Sequence, residues 1–220
     1  MLFSETKKFV FIAVPKTGTT SIELEMRRLD PDILRNEMVF PDGSIRKVNK
    51  HITLRDVQKI LGNKASEYRY FAFMREPVDH TISRYYYYAN GRGRQRYESR
   101  AVRKGRLPSL GAKVWFARLV PRPLWFVLYP LRQQTAFIRN REGRIALDFC
   151  GRVDRLHEDL TDMLRHAGYE NTTHEVPHLN IAPRNPIGRL EQRFIRAVLD
   201  RRLKSDLAFF KELSAARDAV

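Results

Sequence analysis

The sequence predicts an α/β fold in which a parallel sheet is flanked by helices. Two short, continuous apolar runs, Lys8 to Val14 and Tyr68 to Met74, contain the β-branched and aromatic residues that are typical of buried parallel strands. A helical pattern follows each run. Such alternation of strands and helices predicts a sheet whose ligands bind at the carboxyl ends of its strands.

The remaining elements are predicted from periodicity and turn signals. Thr53 and Asp56 form a capping box that should begin a helix, and Gly62 should close it. Because His51 comes just before Thr53, we expect it near the N-terminus of this helix. The other predicted segments are a helix beginning near Pro77, helices over Thr19 to Leu29, Val153 to Ala167, Ile187 to Leu199 and Asp200 to Leu213, and a third strand over Ile145 to Phe149.

The length of 220 residues and the hydrophobic content of 43% predict one domain spanning residues 1–220. Within it, residues 91–130 are interpreted as an insertion, arginine-rich from Gly91 to Gly111 and apolar from Val114 to Leu131. Prolines and arginines interrupt the apolar part, so it lacks the roughly 20 uninterrupted apolar residues of a membrane-spanning helix. Peripheral contact with a membrane, or contact with an acceptor, stays open for this part.

The net charge indicates which kinds of partner the chain binds, and the cysteine content indicates its compartment. The chain has 41 Lys and Arg against 25 Asp and Glu, a net charge of +16, which favours nucleotides, acidic glycans, nucleic acid or anionic lipid as partners. Cys150 is the only cysteine, so an intrachain disulfide and a thiolate metal cluster are excluded. No cluster has metal-ligand spacing, and we expect no metal. The start of the chain lacks a signal-peptide pattern, and we expect a reducing, cytoplasmic location.

The segment between the first strand and its helix has the features of an anion-binding loop. Backbone amides and the helix N-terminus should converge there on a bound anion. Gly18 has no side chain, so the backbone can come close to the anion, and Lys16 adds a positive charge. An ordinary capped turn is the alternative interpretation. The candidate binding residues are Pro15, Lys16, Thr17, Gly18, Thr19, Thr20 and Ser21.

A second anion site is predicted after the second strand. Arg75 ends this strand, and Ser83 follows eight residues later, about two turns into the next helix. This spacing can bring a guanidinium and a hydroxyl to one phosphate. The alternative is a structural salt bridge for Arg75 and a solvated Ser83.

Both segments resemble motifs of the sulfotransferases that use 3'-phosphoadenosine 5'-phosphosulfate (PAPS). Residues 11–21 look like their 5'-phosphosulfate loop, and Arg75-Glu76-Pro77 with Ser83 is similar to their 3'-phosphate motif, although many members carry an arginine where this chain has His80. Residues 145–160 and Pro177 to Asn180 resemble the C-terminal half of the carbohydrate-type members. The resemblance therefore covers most of the chain, apart from residues 91–130.

The resemblance implies the sulfotransferase architecture, a P-loop-like parallel sheet, and a defined reaction. We expect in-line, metal-free transfer of a sulfuryl group from PAPS to an acceptor hydroxyl, on a glycan or glycolipid, with 3'-phosphoadenosine 5'-phosphate as product. Lys16 is then a catalytic residue that contacts the bridging oxygen and the transferring group. His51 matches the histidine that acts as general base in sugar sulfotransferases; Glu76, Asp79 and His80 compete for this role.

Three other functions stay open. The charge of +16 and the arginines between Gly91 and Arg106 suit a nucleic-acid-binding protein, although we regard nucleic acid as the weaker expectation. A nucleotide kinase is a second rival, but the phosphate loop of nucleotide triphosphatases has its lysine after the second glycine, whereas Lys16 precedes Gly18. A third possibility is an inactive relative that only binds the nucleotide.

Overall fold

The computed structural model describes residues 1–90, 109–169 and 187–218, and these residues belong to two compact units. We call Met1–Glu76, Gln133–Leu179 and Ala208–Val220 the sheet unit, and Pro77–Arg132 and Asn180–Leu207 the helical unit. The prediction of a single domain with an insertion stays a prediction. Most of the predicted basic segment, residues 91–108, and the Pro177 to Asn180 motif lie outside the described residues.

The sheet unit contains a five-stranded, mostly parallel sheet. Its order is β3-β1-β2-β6-β7, with parallel pairing between β2 and β6 and between β6 and β7, and antiparallel pairing of β1 with both β2 and β3. A separate two-stranded sheet pairs β4 with β5. The strands are β1 Leu2–Ser4, β2 Phe9–Ile12, β3 Leu34–Arg35, β4 Glu37–Val39, β5 Ile45–Lys47, β6 Arg69–Met74 and β7 Phe149–Arg152.

Helices cover this sheet because each contributes an apolar stripe to a common core. The helices of the sheet unit are α1 Thr19–Leu29, α2 Leu54–Leu61, α6 Thr135–Ile138, α7 Leu156–His166 and the part of α9 Lys204–Asp218 from Ala208 onward. Buried residues of α1, α2, α6 and α7 share one hydrophobic cluster with β1, β2 and β6, and α9 packs against it through Phe209, Phe210 and Leu213. The predicted mixed α/β class is thereby confirmed.

The predictions for β2, α1, β6 and α2 agree with the structure in type and place. The capping box is present, since the Thr53 hydroxyl accepts from the backbone N–H of Asp56 at 3.2 Å. The third strand was placed too early: it begins at Phe149, because the Asp148 carboxylate accepts the Tyr70 amide at 2.7 Å where a strand partner would sit. Ile145 instead forms an isolated antiparallel bridge with Arg139.

Three other sequence expectations need correction. The sheet is not purely parallel, because β1 runs against its neighbours, and a three-residue strand is too short to show a periodic pattern. The α7 helix is preceded by a short 3-10 turn, Val153–Arg155. The last two helices are divided at Leu203 rather than at Asp200.

The helical unit contains α3 Pro77–Ala89, α4 Ser109–Leu119, α5 Arg122–Leu128, α8 Arg189–Arg202 and the start of α9. Its core is aromatic: the Trp125 and Tyr129 rings stack with centroids 4.3 Å apart, and Tyr85 packs edge-on against Trp125 at 5.2 Å. The apolar segment from Val114 to Leu131 contributes to two helices, which are separated at Pro121. No helix among the described residues has the length and hydropathy needed to cross a membrane.

One face of the central sheet is built from phenylalanines and requires a glycine beside them. Phe73 pairs with Gly151 across β6 and β7, and a Cβ added to Gly151 would lie 2.5 Å from the Phe73 ring. The ring is itself held between Phe11 and Phe149, with centroids 6.4 Å away on either side. A side chain at position 151 must therefore displace a packed aromatic ring.

We predict that Gly151→Ala lowers the free energy of unfolding by about 1 to 3 kcal/mol, the usual effect of overpacking a core. Chemical denaturation measures it. In the double variant Gly151→Ala/Phe73→Leu, the smaller side chain should relieve the overlap, so the loss should be smaller than the sum of the single losses by about 1 kcal/mol or more. Additive losses would contradict the steric explanation.

Candidate functional site

The loop between β2 and α1 is shaped by a glycine in the left-handed region. Gly18 has φ 70° and is the N-cap of α1, and its carbonyl accepts the amide of Ser21 at 2.9 Å. Residues with a Cβ adopt this conformation at a cost of about 1 kcal/mol or more, which explains the glycine. The Thr17 hydroxyl, fully buried, donates to the Val14 carbonyl at 3.0 Å. This hydroxyl therefore braces the loop from within.

The first turn of α1 has the electrostatics of an anion site. Its N-cap has no side chain to satisfy the terminal amides, and the turn contains no acidic residue. An uncapped helix N-terminus carries a partial positive charge and exposes N–H donors. Of the three hydroxyl residues there, Thr19 and Ser21 are buried and Thr20 is half-buried. Thr20 is thus the most accessible of these three side chains.

Lys16 adopts a conformation that is unfavourable for a lysine. Its φ of 68° lies in the left-handed region, and its side chain is half-buried. Such conformations concentrate at ligand-binding segments, where the surrounding structure maintains them. The two positive φ values at Lys16 and Gly18 turn the chain sharply between the end of β2 and the start of α1.

Arg75 lies at the carboxyl end of β6, beside this loop. Its Nη1 is 3.5 Å from the carbonyl oxygen of Lys16. The buried side chain of Gln134 fixes the Arg75 backbone by accepting its N–H at 3.0 Å and donating to its carbonyl at 2.9 Å. The structure therefore brings the predicted loop and Arg75 together. Sequence reasoning missed Gln134, because its 59-residue separation from Arg75 leaves no local signal.

His51 lies against the residue that follows β2. Its Nδ1 is 2.6 Å from the Ala13 carbonyl oxygen, and its backbone N–H donates to Asn49 Oδ1 at 2.8 Å. A carbonyl oxygen can only accept, so Nδ1 carries the proton and Nε2 carries the lone pair of the neutral ring. Burial lowers the pKa of His51 from its ordinary value of 6.5, and the charge of Lys50 lowers it further. The neutral, base-competent form therefore dominates near neutral pH.

A buried carboxylate on α1 anchors the segment that carries His51. Glu23 is 1% exposed, and its Oε2 accepts from Lys50 Nζ at 2.9 Å and from Arg35 Nε at 3.2 Å. Because Lys50 precedes His51 directly, this ion pair ties the histidine to the helix that begins at the loop. Neither Glu23 nor Lys50 was predicted as a site residue, since their spacing in sequence forms no motif.

The third parallel strand also ends near the loop. A Cβ added to Gly18 would lie 3.6 Å from Leu156 Cδ2, so the first residue of α7 packs over the glycine. Arg152, the last residue of β7, donates to the Asp154 carboxylate at 3.2 Å through Nε. Arg75 after β6 and Leu156 at the start of α7 therefore both border the loop that follows β2, as expected for ligand sites of parallel sheets.

Ser83 and two of the competing bases belong to the helical unit. Ser83 and His80 are buried in α3, and Asp79 is half-buried in its first turn. Glu76, half-buried, is the last residue before that unit. The placement of Ser83 and Arg75 on one phosphate stays a prediction, as does the choice of general base. Among the described residues, no group of His, Cys, Asp and Glu could hold a metal ion.

We predict that the His51 imidazole titrates below its ordinary pKa of 6.5. Proton NMR measures this, with His51→Gln identifying the signal. Lys50→Gln removes a neighbouring positive charge and should move the midpoint upward. A midpoint at or above 6.5 in the unaltered chain would contradict the described burial of the ring.

Comparison with known proteins agrees with this geometry. A family model described as the sulfotransferase family matches residues 1–207 of the 220-residue chain. No curated protein and no solved structure matches at a significant level. The matched residues include the loop between β2 and α1, the Arg75 segment and the His51 segment. The chain therefore belongs to the sulfotransferase family.

Proposed function

We propose that this sulfotransferase uses PAPS as donor and transfers its sulfuryl group to an acceptor hydroxyl on a carbohydrate or glycolipid. The observation that carries the proposal is the clustering of three groups at the carboxyl ends of β2 and β6: the uncapped start of α1, the Arg75 guanidinium and the His51 ring. Together these groups supply hydrogen-bond donors for an anion and a candidate base.

Residues of the sheet unit would bind the two phosphate-bearing ends of PAPS. The 5'-phosphosulfate is assigned to the start of α1, where the terminal amides and the accessible Thr20 provide donors without a competing acidic side chain. Arg75 is assigned to the 3'-phosphate, because a guanidinium binds phosphate through paired N–H donors. The assignment of Ser83 to the same phosphate rests on the motif spacing alone. This arrangement explains why ATP, which has no 3'-phosphate, should be a poor ligand.

The catalytic part of the proposal gives Lys16 and His51 separate tasks. His51 Nε2 takes the proton of the acceptor hydroxyl while that oxygen forms a bond to sulfur. The bond between sulfur and the phosphate oxygen breaks at the same time, and the electron pair leaves with the phosphate. Lys16 stabilises the charge that develops on this leaving oxygen. The products are a sulfate ester, 3'-phosphoadenosine 5'-phosphate and a proton held by His51.

The acceptor class is proposed from two properties of the chain. Residues 145–160 resemble carbohydrate-type sulfotransferases, and the net charge of +16 favours an anionic acceptor such as an acidic glycan. A nucleic acid would satisfy the charge equally but offers no role for His51 and the phosphate loop. Oligonucleotides therefore serve as the competing ligand in binding experiments.

We predict that 3'-phosphoadenosine 5'-phosphate binds at least about tenfold more tightly than ADP or ATP, since one charged hydrogen-bonded phosphate contributes roughly 1.5 to 3 kcal/mol. Isothermal titration calorimetry measures the three affinities. Lys16→Ala and Arg75→Ala should each weaken binding of 3'-phosphoadenosine 5'-phosphate, and Arg75→Ala should also abolish the preference over ADP. Lys59→Ala, an exposed lysine on α2, is the matched control.

Equal affinity for the three nucleotides would refute the donor assignment. Tight, salt-dependent binding of an oligonucleotide without binding of 3'-phosphoadenosine 5'-phosphate would favour the nucleic-acid alternative. Magnesium-dependent phosphoryl transfer from ATP would favour the kinase.

We predict that His51→Ala lowers the rate of sulfuryl transfer about a hundredfold or more and leaves nucleotide affinity within about twofold, because a general base contributes about 10² to 10⁴. Transfer of radiolabelled sulfate from PAPS to a panel of glycans and glycolipids measures it. In the unaltered enzyme the rate should rise with pH through a midpoint below 6.5, since the neutral ring is the active form and burial lowers its pKa. The exposed His166→Ala is the control; a similar loss there, or none at His51, would contradict the role.

A further inference from the structure

The segment that joins α3 to the sheet unit is basic and apolar at once. Residues 109–132 contain one lysine and three arginines and no acidic residue. Both helices in this segment, α4 and α5, bury one face in the aromatic core of the helical unit. Each helix also exposes large apolar side chains on another face, which the core does not require.

On α4, the exposed apolar face consists of Trp115 and Leu119. They lie one turn apart, and each is 60% exposed, whereas Val114 and Ala117 are buried. Lys113 and Arg118 are exposed beside them. A tryptophan with adjacent basic residues has the composition of helices that lie in the boundary between water and lipid.

On α5, the pattern is repeated. Leu124, Val127 and Leu128 are exposed at spacings of three and four residues, and Trp125 and Phe126 are fully buried. Leu119 and Leu124 are five residues apart, so their Cα atoms are separated by no more than about 18 Å. The exposed residues of the two helices therefore lie within a short stretch of the chain.

Exposed apolar side chains also occur on α8, which packs against α5 in the helical unit. Arg122 at the start of α5 forms an ion pair with Glu191 of α8, so the negative charge of this glutamate is balanced. The α8 helix adds the exposed pair Leu190 and Phe194.

We propose that the exposed apolar and basic side chains of α4 and α5 form a surface that binds anionic lipid bilayers. We call Trp115, Leu119, Leu124, Val127, Leu128, Lys113 and Arg118 the bilayer surface. Burial of the apolar side chains supplies a non-specific attraction to lipid, and the absence of acidic residues from the segment makes the attraction selective for a negative leaflet. The net charge of +16 acts in the same direction.

This mode of attachment is peripheral. Both helices are short: α4 spans Ser109–Leu119 and α5 spans Arg122–Leu128. Each has one face exposed and another buried. Partial insertion of one face to a depth of about 5 to 10 Å is the behaviour expected of such helices. Binding of these helices to a bilayer requires neither PAPS nor a particular acceptor.

The test is co-sedimentation of the full chain with two kinds of vesicle, pure phosphatidylcholine and phosphatidylcholine containing about a third phosphatidylserine. We expect at least tenfold stronger partitioning to the anionic vesicles. Trp115→Ser/Leu119→Ser should reduce it about tenfold or more, since each large side chain loses its burial in lipid. Arg118→Glu replaces a positive by a negative charge and should reduce it about fivefold or more.

Matched controls lie in the sheet unit. Ile45→Ser removes a large apolar side chain that is 58% exposed, and Lys59→Glu makes a comparable charge reversal. Both should partition within about twofold of the unaltered chain. Circular dichroism and thermal unfolding verify that each variant is folded; Leu124→Ser/Leu128→Ser provides a second pair of substitutions on α5 if the α4 pair fails to fold.

Intrinsic fluorescence reports the contact directly. The sequence contains two tryptophans, of which Trp125 is fully buried and Trp115 is exposed. Anionic vesicles should therefore shift the emission of Trp115 to shorter wavelength, and brominated lipid should quench it; in Trp115→Phe both responses should disappear. Absence of binding to anionic vesicles would overturn the proposal. So would binding that the controls weaken as much as the surface variants, or concentration-dependent self-association that the same substitutions abolish without any lipid response.

Discussion

The candidate site depends on one constraint: the chain must leave β2 and begin α1 without a side chain at the helix N-cap. Gly18 satisfies this constraint because its φ of 70° is accessible to glycine and because Leu156 packs over the position. The start of α1 consequently has no capping hydroxyl or carboxylate for its terminal amides. The buried Thr17 hydroxyl maintains the loop, and the sharp turn extends back to Lys16.

The groups around this helix start are held by contacts to backbone atoms. The Ala13 carbonyl positions His51 through a hydrogen bond. The Gln134 side-chain amide positions Arg75 through two hydrogen bonds to the Arg75 backbone. Both contacts lie at the ends of strands, whose positions are fixed by the parallel ladder of β2 and β6. Their positions therefore follow from the sheet. The Glu23 carboxylate adds a link from α1 to Lys50, so the helix and the histidine segment are coupled.

Those parts of the fold that depend on local chemistry could be predicted from the sequence. The apolar runs of β2 and β6, the glycine before α1 and the Thr53 capping box are short-range signals, and all four elements occur as expected. The start of β7 was misplaced because the Asp148 side chain occupies a backbone position of the ladder, a long-range contact that no pattern encodes. The antiparallel β1 was missed because three residues carry too little periodicity. In the site, Gln134 and Glu23 could not be predicted from local patterns, because their hydrogen-bond partners are distant in sequence.

The central claim is that the start of α1 and Arg75 bind opposite ends of one nucleotide. The most direct test is backbone and side-chain NMR of the isotopically labelled chain during titration with 3'-phosphoadenosine 5'-phosphate. We expect the amide signals of Gly18, Thr19 and Thr20 and the guanidinium signal of Arg75 to shift together with one binding constant, and AMP to shift the loop amides without Arg75. Signals that respond with different binding constants, or a response confined to one of the two groups, would contradict the account.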